Sequence, residues 1–297
     1  MKQEFVRLHF TISKEHEVLF NQYVSQALQE KENVNITYSF QKKETHTPAV
    51  DMDNQPFYLT NGEVLYRPGG HGALLENLND LDADIIFIKN IDNVCQQSQI
   101  QDTVDSKRAL AYSGLEVQEQ INQYINNLLD NEYELEDISL FIRNVLNITW
   151  KTELTKDKAL AILNRPLRVC GVVENTGAIC GGPFIRDNGD YLDLQICESA
   201  EIDLNDEKQL KKVNESEYFN PVDIVCFVRD YKGDKFNLMK YANPERYFIT
   251  EKTYQGEKIK ALEHPGLWNG GMHNWNTLFV EVPLTTFNPV KTVNDLL

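Results

Sequence analysis

The residues with the clearest capacity for chemistry lie between Tyr66 and Val94. A glycine-rich loop, Pro68–Gly72, precedes an amphipathic helix and a short apolar strand, and the strand ends in Asn90-Ile91-Asp92-Asn93. Glycine lets backbone amides approach a ligand because no Cβ blocks the way, and a helix start attracts phosphate oxygens. Asp92, at the carboxyl end of a strand, stands where a carboxylate can hold Mg²⁺ beside phosphates. A plain turn followed by a helix-capping aspartate is the alternative, and the residues alone leave both open.

This combination suits phosphoryl or nucleotidyl transfer. A sugar phosphate is already an anionic nucleophile, so the protein needs only to align the reacting groups and neutralise their charge with a metal and a cation. Lys291, two residues after Pro289, can supply the cation, and one well-placed donor contributes about 3 kcal/mol in the transition state. The alternative for Lys291 is an ordinary solvated surface lysine.

Sequence motifs of other enzyme classes are absent from the chain. It contains no GxSxG, HExxH, GxxxxGK[ST] or GxGxxG string, and its six histidines lie apart without metal-ligand spacing. Asp51-Met52-Asp53 has the D-x-D spacing that some glycosyltransferases use for a metal. This pair is therefore a second candidate metal site.

Composition limits the partners and the compartment. The chain has 297 residues, 41% of them hydrophobic, which allows one large or two ordinary domains with a sizeable core. Its formal charge of -16 disfavours nucleic acid and anionic membranes as partners. No apolar run is long enough to span a bilayer, and the amino terminus lacks the apolar stretch of a signal peptide. Five scattered cysteines indicate reduced thiols, so we expect a cytoplasmic protein.

The elements that position these residues follow from periodicity. A strand at Phe5–Ile12, a helix from Ser13 to about Gln29 and a strand at Val34–Phe40 form one predicted βαβ unit. Lys42–Arg67 is predicted as loop or hairpin, and Leu238–Gly266 as loop-rich. Further strands are predicted at Leu167–Val173, Leu192–Cys197, Val222–Val228 and Thr277–Val282.

The predicted fold class is α/β, with a mixed Rossmann-like sheet flanked by helices. Residues 1–97 are expected to form the nucleotide-binding half of the α/β domain, and residues 164–297 its sugar-binding half. Residues 98–163 carry a helical pattern and are expected to form a helical insertion.

Several short motifs resemble, in order, those of UDP-sugar pyrophosphorylases, which have the nucleotide-diphospho-sugar transferase fold. That family carries motifs of roughly FxQ, PxGHG, N-x-D-N and FxPVKTxxDLL. The matching residues here are Phe40-Gln41, Pro68-Gly69-Gly70-His71-Gly72, Asn90-Ile91-Asp92-Asn93 and Phe287-Asn288-Pro289-Val290-Lys291-Thr292 with Asp295-Leu296-Leu297. Over essentially its whole length, the chain is more closely similar to a bacterial group, domain-of-unknown-function family 4301.

The resemblance implies roles for individual residues. Gln41 and the backbone of Gly69, Gly70, His71 and Gly72 would bind the base, with uracil favoured. Asn90 would lie near the ribose or sugar, Asp92 would bind Mg²⁺, and Lys291 would contact the phosphates as the catalytic cation. Outside the motifs the match is loose, and there Gly182, Asn220 and Glu263 would contact the sugar.

The chain departs from the pyrophosphorylase pattern in one respect. It has no LxGGxGTRxG loop, which in that family cradles the triphosphate and carries a catalytic Arg or Lys. Proteins of family 4301 are longer, so the resemblance implies that this chain corresponds to their C-terminal part. We therefore expect it to bind nucleotide sugar weakly and to catalyse poorly by itself.

Three functions follow as expectations. The first is a nucleotidyltransferase that condenses a nucleoside triphosphate, UTP favoured, with a sugar-1-phosphate, using Mg²⁺ and releasing pyrophosphate. The second is a non-catalytic nucleotide-sugar-binding protein of the same fold. The third is a metal-dependent glycosyltransferase that uses Asp51 and Asp53, or Asp92.

Overall fold

The computed structural model describes residues 6–28, 33–175, 177, 181–198, 201–268 and 270–296. These residues contain fourteen strands: β1 Val6–Thr11, β2 Val34–Ser39, β3 Thr47–Pro48, β4 Tyr66–Arg67, β5 Ile85–Lys89, β6 Ile148–Trp150, β7 Leu167–Glu174, β8 Gly182–Asp187, β9 Tyr191–Cys197, β10 Tyr218–Phe219, β11 Asp223–Phe227, β12 Phe248–Tyr254, β13 Glu257–Glu263 and β14 Asn276–Glu281. Their α-helices are α1 Glu17–Ala27, α2 Leu74–Asp80, α3 Ile100–Asp130, α4 Leu135–Asn144, α5 Lys156–Leu163 and α6 Glu207–Asn214.

Two compact units make up this mixed α/β chain. Unit 1 comprises residues 1–81 and 244–271, and unit 2 comprises residues 82–243 and 272–297. The predicted boundaries at 97/98 and 163/164 coincide with none of the three breaks between the units, at 81/82, 243/244 and 271/272. The stretch Tyr66–Val94 is divided, because its glycine loop and α2 belong to unit 1 whereas β5 and Asp92 belong to unit 2.

The βαβ unit predicted at the start of unit 1 is confirmed. Strands β1 and β2 pair in parallel, from Val6 opposite Val34 to Thr11 opposite Ser39. Alternate side chains of a strand point to opposite sides of the sheet. The side of this strand pair that carries the apolar residues contacts α1 through an aromatic cluster. There the ring of Phe20 lies 5.0 Å from that of Phe10 and 5.6 Å from that of Tyr38, between centroids. The predicted ends at Phe5 and Gln29 lie outside the described residues.

The stretch Leu238–Gly266, which was predicted to be loop-rich, contains a hairpin that the prediction missed. Strands β12 and β13 pair along seven residues each, as an antiparallel hairpin. Gln255 and Gly256 close it with φ values of +49° and +90°, the left-handed pair that a tight hairpin turn requires. Ile259 and Ala261 are buried, and Ile259 packs with Ala49 and Leu65 in a small core. The alternation of buried residues in β13 was the sequence signal for this strand.

Unit 2 is built on a mixed sheet in the order β14–β7–β11–β5, with β10 extending the β11 side of β7. β14 runs parallel to β7, whereas β11 runs antiparallel to both β7 and β5. Strands β5, β7 and β14 therefore point the same way, and their carboxyl ends share one edge of the sheet. A second sheet in this unit has the order β6–β9–β8.

Helix α3 packs directly on this sheet. Gly114 permits the contact, because a Cβ at this position would overlap the ring of Phe227 and lie 2.9 Å from Val169. The buried core joins the predicted helical insertion to the sheet and includes Leu110, Ile125, Ile138, Ile142, Ile162, Val169, Val225 and Phe227. Among the described residues, no helix has both the length and the apolar character needed to cross a membrane.

Candidate functional site

Two motif segments from distant parts of the sequence meet in unit 2. The Nζ atom of Lys291 lies 2.6 Å from Oδ2 of Asp92, 199 positions away in the chain. The backbone of Val290 donates a 2.7 Å hydrogen bond to the carbonyl oxygen of Asp92, and Pro289 bridges to Asn93. The structure thus brings the predicted metal ligand and the predicted phosphate-binding cation into direct contact.

Neighbouring motif residues hold this arrangement through the backbone. Asn93 is 5% exposed; its Oδ1 accepts from the amide of Asn288 at 2.8 Å, and its Nδ2 donates to the carbonyl of Thr286 at 3.1 Å. The Asp295 carboxylate accepts from the amides of Lys291 and Thr292 at 2.8 and 2.7 Å. The hydrogen bond from Thr292, followed by that from Lys291, lowers the pKa of Asp295. The side chains of Asp92 and Lys291 stay 39% and 70% exposed.

A second ion pair lies at the same edge of the sheet, and the sequence analysis missed it. Asp223 begins β11 opposite Lys89, the last residue of β5, and its carboxylate pairs with Lys107 of α3. Both side chains are largely buried, at 7% and 18% exposure, and Lys107 also lies 3.5 Å from the carbonyl oxygen of Ile88. The pair anchors α3 to the end of β5, close in sequence to Asn90, whose side chain is exposed. No sequence signal indicated this contact, because neither Lys107 nor Asp223 belongs to a motif.

Gly182 and Asn220 have clear structural roles in unit 2. A Cβ at Gly182 would lie 2.8 Å from the carbonyl oxygen of Tyr218. Asn220 is completely buried at the break between β10 and β11, where Val222 has a φ of +58°. Its Nδ2 donates to the carbonyl of Gly171 and its Oδ1 accepts from the amide of Val222, which satisfies backbone groups that the interrupted ladder leaves unpaired. Sugar contacts by these two residues stay predictions.

The glycine loop of unit 1 packs against the chain that follows β13. A Cβ at Gly69 would lie 2.5 Å from the carbonyl oxygen of Thr45, and one at Gly72 would overlap the carbonyls of His264 and Pro265. Gly70 has a φ of +72°. These contacts give the glycines a packing role, in line with the plain-turn alternative. Base binding by the amides of this loop stays a prediction.

The other candidates of unit 1 are Gln41, His71 and Glu263. Gln41 is half-buried and its Nε2 lies 3.4 Å from Oγ1 of Thr45, whereas His71 is exposed. Oε1 of Glu263 lies 2.8 Å from Nζ of Lys252 and 3.0 Å from Oγ1 of Thr250. The hydrogen bond from Lys252 is the main reason that the pKa of Glu263 is lowered. Glu263 is therefore held as a carboxylate.

The D-x-D pair has a local explanation. Oδ1 of Asp51 accepts from the amides of Asp53 and Gln55, each at 2.9 Å, and this closes the turn after Val50. Within the described ranges, no group of three or more His, Cys, Asp or Glu side chains is placed to hold a metal ion. A cation at Asp92 would therefore need further oxygen ligands from a bound molecule and from water.

Comparisons with solved structures show the fold. A point mutant of UDP-glucose pyrophosphorylase from Leishmania major in complex with UDP-glucose is similar at 16% identity, with a TM-score of 0.52, over 98% of this chain and 53% of that one. A second mutant of that enzyme gives 16% identity, a TM-score of 0.51 and the same coverage. UDP-glucose phosphorylase from Trypanosoma brucei gives 17% identity and a TM-score of 0.49 over 98% and 52% of the two chains.

The chain thus spans about half the length of these structures. No curated protein matches it significantly. The family described as "Domain of unknown function (DUF4301)" matches residues 1–297. The motif order of the sequence, the pyrophosphorylase-like fold and this match agree, and the chain belongs to that family.

Proposed function

We propose that the intact protein is a nucleotidyltransferase that joins a nucleoside triphosphate, UTP favoured, to a sugar-1-phosphate and releases pyrophosphate. The observation that carries the proposal is the contact of Lys291 with Asp92 at 2.6 Å, beyond the carboxyl end of β5. Ligands of α/β sheets bind at the carboxyl ends of strands. The similarity to UDP-glucose pyrophosphorylases supports the finer assignment of the fold to the nucleotide-diphospho-sugar transferase type.

The chemistry of the reaction asks little of the protein beyond placement and charge. An oxygen of the sugar phosphate attacks the α-phosphorus of the triphosphate. The bond between the α-phosphorus and the oxygen that bridges it to the β-phosphorus breaks, and pyrophosphate leaves. Lys291 is exposed on a backbone held by Asp295, so its ammonium group can turn from Asp92 to a phosphate without movement of the main chain. A cation placed in this way lowers the free energy of the transition state.

The residues at Asp92 fit a magnesium ion that arrives with phosphates. Magnesium in nucleotide sites is bound by one or two carboxylates, while phosphate oxygens and water complete its six ligands. Asp92 supplies one half-exposed carboxylate. The bound ion would neutralise phosphate charge.

The remaining motif residues complete the proposal. In unit 1, Gln41 and the loop from Gly69 to Gly72 would bind the base, and Glu263 would accept sugar hydroxyl groups. In unit 2, Asn90 would contact the ribose, and Gly182 with Asn220 would contact the sugar. The structure supports a ligand contact better for Asn90 than for Asn220, because Asn90 is exposed whereas Asn220 has no exposed surface.

A nucleotide-sugar-binding protein without catalysis is the second candidate. It is favoured by the glycine loop, in which Gly69 and Gly72 are explained by packing against Thr45, His264 and Pro265. A metal-dependent glycosyltransferase using Asp92 remains the third candidate. A glycosyltransferase that binds its metal through Asp51 and Asp53 has less support, since the Asp51 carboxylate accepts two backbone hydrogen bonds within a turn.

A thermal-shift screen with Mg²⁺ tests the proposal. The screen covers UTP, UDP-glucose, UDP-N-acetylglucosamine and the corresponding ADP, GDP and CDP sugars. A ligand that binds only the folded state raises the melting temperature. We expect a shift for one nucleotide or nucleotide sugar that Asp92→Ala and Lys291→Ala abolish. Lys151→Ala is the matched control, because Lys151 forms an exposed 2.6 Å pair with Asp187 away from the motifs.

Pyrophosphate exchange then separates the candidates. Exchange of labelled pyrophosphate into the triphosphate, dependent on a nucleotide sugar, supports the transferase. Binding without exchange supports the sensor, and sugar transfer to an acceptor without triphosphate supports the glycosyltransferase. A screen in which the two variants shift as much as the parent protein would remove Asp92 and Lys291 from the site.

A further inference from the structure

The two faces of the β1–β2 pair in unit 1 differ in character. One face carries Leu8, Phe10, Ile36 and Tyr38, and the rings of Phe10 and Tyr38 contact Phe20 of α1. The other face carries four polar side chains at the carboxyl ends of the strands, namely His9, Thr11, Thr37 and Ser39. Strands of parallel sheets are usually apolar on both faces. The polar face therefore calls for an explanation.

The four side chains form one hydrogen-bond network centred on Oγ of Ser39. Its Oγ lies 2.9 Å from Nε2 of His9, and Nδ1 of the same ring lies 2.8 Å from Oγ1 of Thr37. Asn77 of α2 donates through Nδ2 to Oγ of Ser39 at 2.9 Å and to the carbonyl of Phe40 at 2.8 Å. Oγ1 of Thr11 lies 3.2 Å from Oγ of Ser39.

The hydrogen-bond partners within this cluster permit the roles that catalysis by Ser39 needs. An amide nitrogen has two hydrogens, and Asn77 uses one on Ser39 and the other on Phe40. Oγ of Ser39 accepts one of them, so its own hydrogen is available to Nε2 of His9. With the ring proton on Nδ1, where it is donated to Oγ1 of Thr37, Nε2 accepts the serine hydrogen. This is the tautomer in which a histidine can take a proton from a serine.

We propose that Ser39 is a nucleophile, with His9 as its general base and Thr37 as the residue that positions the histidine ring. A hydroxyl group in contact with a base, which a third group orients in turn, is the arrangement that activates a serine. The substrate class is an activated ester.

The step balances without a metal or a redox partner. Oγ of Ser39 forms a bond to the acyl carbon, its proton moves to Nε2 of His9, and the alcohol or phenol leaves with that proton. Water then releases the acyl group as a carboxylic acid. Burial lowers the pKa of His9, so the ring is neutral and able to accept a proton at pH 7. The donor on Asn77 stabilises negative charge on the serine oxygen.

The chain contains its own control. Oγ of Ser13 lies 2.6 Å from Nδ1 of His16, three residues later, and both side chains are exposed. Within the described residues, the other ring nitrogen of His16 has no hydrogen-bond partner. Among the described residues a serine hydroxyl thus contacts a histidine ring at two places, and of these two pairs the pair of Ser39 and His9 has an orienting third group.

A fluorophosphonate probe tests the proposal directly. The serine oxygen displaces fluoride from phosphorus, and the adduct is read by intact mass and by peptide mapping. We expect one adduct, at Ser39, that is absent in Ser39→Ala and unchanged in Ser13→Ala. His9→Gln should slow labelling by roughly 100-fold or more, the usual contribution of a general base. Turnover of para-nitrophenyl acetate should fall in Ser39→Ala and His9→Gln and stay unchanged in Ser13→Ala.

Thr37 is a positioning residue, and its test needs a readout beyond loss of rate. Thr37→Val should slow labelling and change its pH profile, whereas Thr37→Ser should restore both. Melting temperatures show whether each variant is folded. An unlabelled folded parent protein, equal labelling at Ser13, or undiminished labelling in folded His9→Gln would each overturn the proposal. The reaction needs neither nucleotide nor Mg²⁺, so its outcome is independent of the nucleotide screen.

Discussion

Lys291 and Asp92 form an ion pair of 2.6 Å between residues 199 positions apart. The contact joins two of the four motifs that resemble those of UDP-sugar pyrophosphorylases, and both side chains keep substantial exposure. Exposed ion pairs contribute little to stability. The pair therefore adds little to the stability of the fold.

The first prediction separates binding from stability at this pair. Asp92→Asn and Lys291→Met should each change the free energy of unfolding by less than about 1 kcal/mol, because the pair is exposed. Both should abolish the melting-temperature shift produced by the nucleotide ligand with Mg²⁺. Urea denaturation and thermal shift measure the two effects, and Lys151→Met is the control that removes the similarly exposed pair with Asp187. A large loss of stability with retained binding would contradict this.

A second prediction concerns the glycine loop. Gly72→Ala should destabilise the protein by about 1–3 kcal/mol, since its Cβ would overlap the carbonyls of His264 and Pro265, and overpacking of this kind is costly. Gly62→Ala is the comparison. Gly62 has a φ of +84° with no atom within 4 Å of a Cβ, so only backbone strain of about 1 kcal/mol is expected. Equal free energies of unfolding for the two variants would show that packing does not select Gly72.

A third prediction tests the buried amide of Asn220. Asn220→Ala leaves the carbonyl of Gly171 and the amide of Val222 without their partner, which should cost about 1–3 kcal/mol. Asn175→Ala should cost less, because Asn175 is only partly buried and donates a 3.2 Å bond to the carbonyl of Ser216. Urea denaturation gives both values. A stable Asn220→Ala variant that loses the nucleotide-sugar shift would instead favour a direct sugar contact.

A fourth prediction follows from the lowered pKa of His9. Burial disfavours the charged ring, so its pKa in the folded protein lies below the usual 6.5. At pH values between the pKa of the folded protein and that of the unfolded chain, the unfolded chain binds more protons. The free energy of unfolding therefore falls as the pH decreases through this range. His9→Gln should weaken this pH dependence, measured by thermal melts from pH 7.5 to 5. Labelling of Ser39 should rise with pH around a midpoint below 6.5, and a midpoint above that value would contradict burial as the cause.

Local patterns in the sequence predicted a good part of the fold. The parallel pair of β1 and β2, helix α2 and strands β5, β7 and β14 follow from periodicity and glycine placement, which act over a few residues. The hairpin of β12 and β13 was missed because Ile249 is exposed, while Thr250 and Lys252 lie on the same side of β12 as Phe248 and Tyr254, which weakens the alternation in β12. The packing of α3 on the sheet was also missed, since Gly114 has a meaning only once Phe227 lies opposite.

For the candidate site, the sequence by itself determined the composition: a carboxylate after a strand, a lysine after a proline, and glycines before a helix. Only the tertiary structure decided which of these meet. It placed Lys291 on Asp92, engaged Asp51 in a turn, and buried Asn220 beneath a break in the sheet. It also assembled His9, Thr37 and Ser39 from two strands that no motif connects. The physical reason is that contacts between distant residues depend on strand register and helix packing, which the whole unit settles cooperatively.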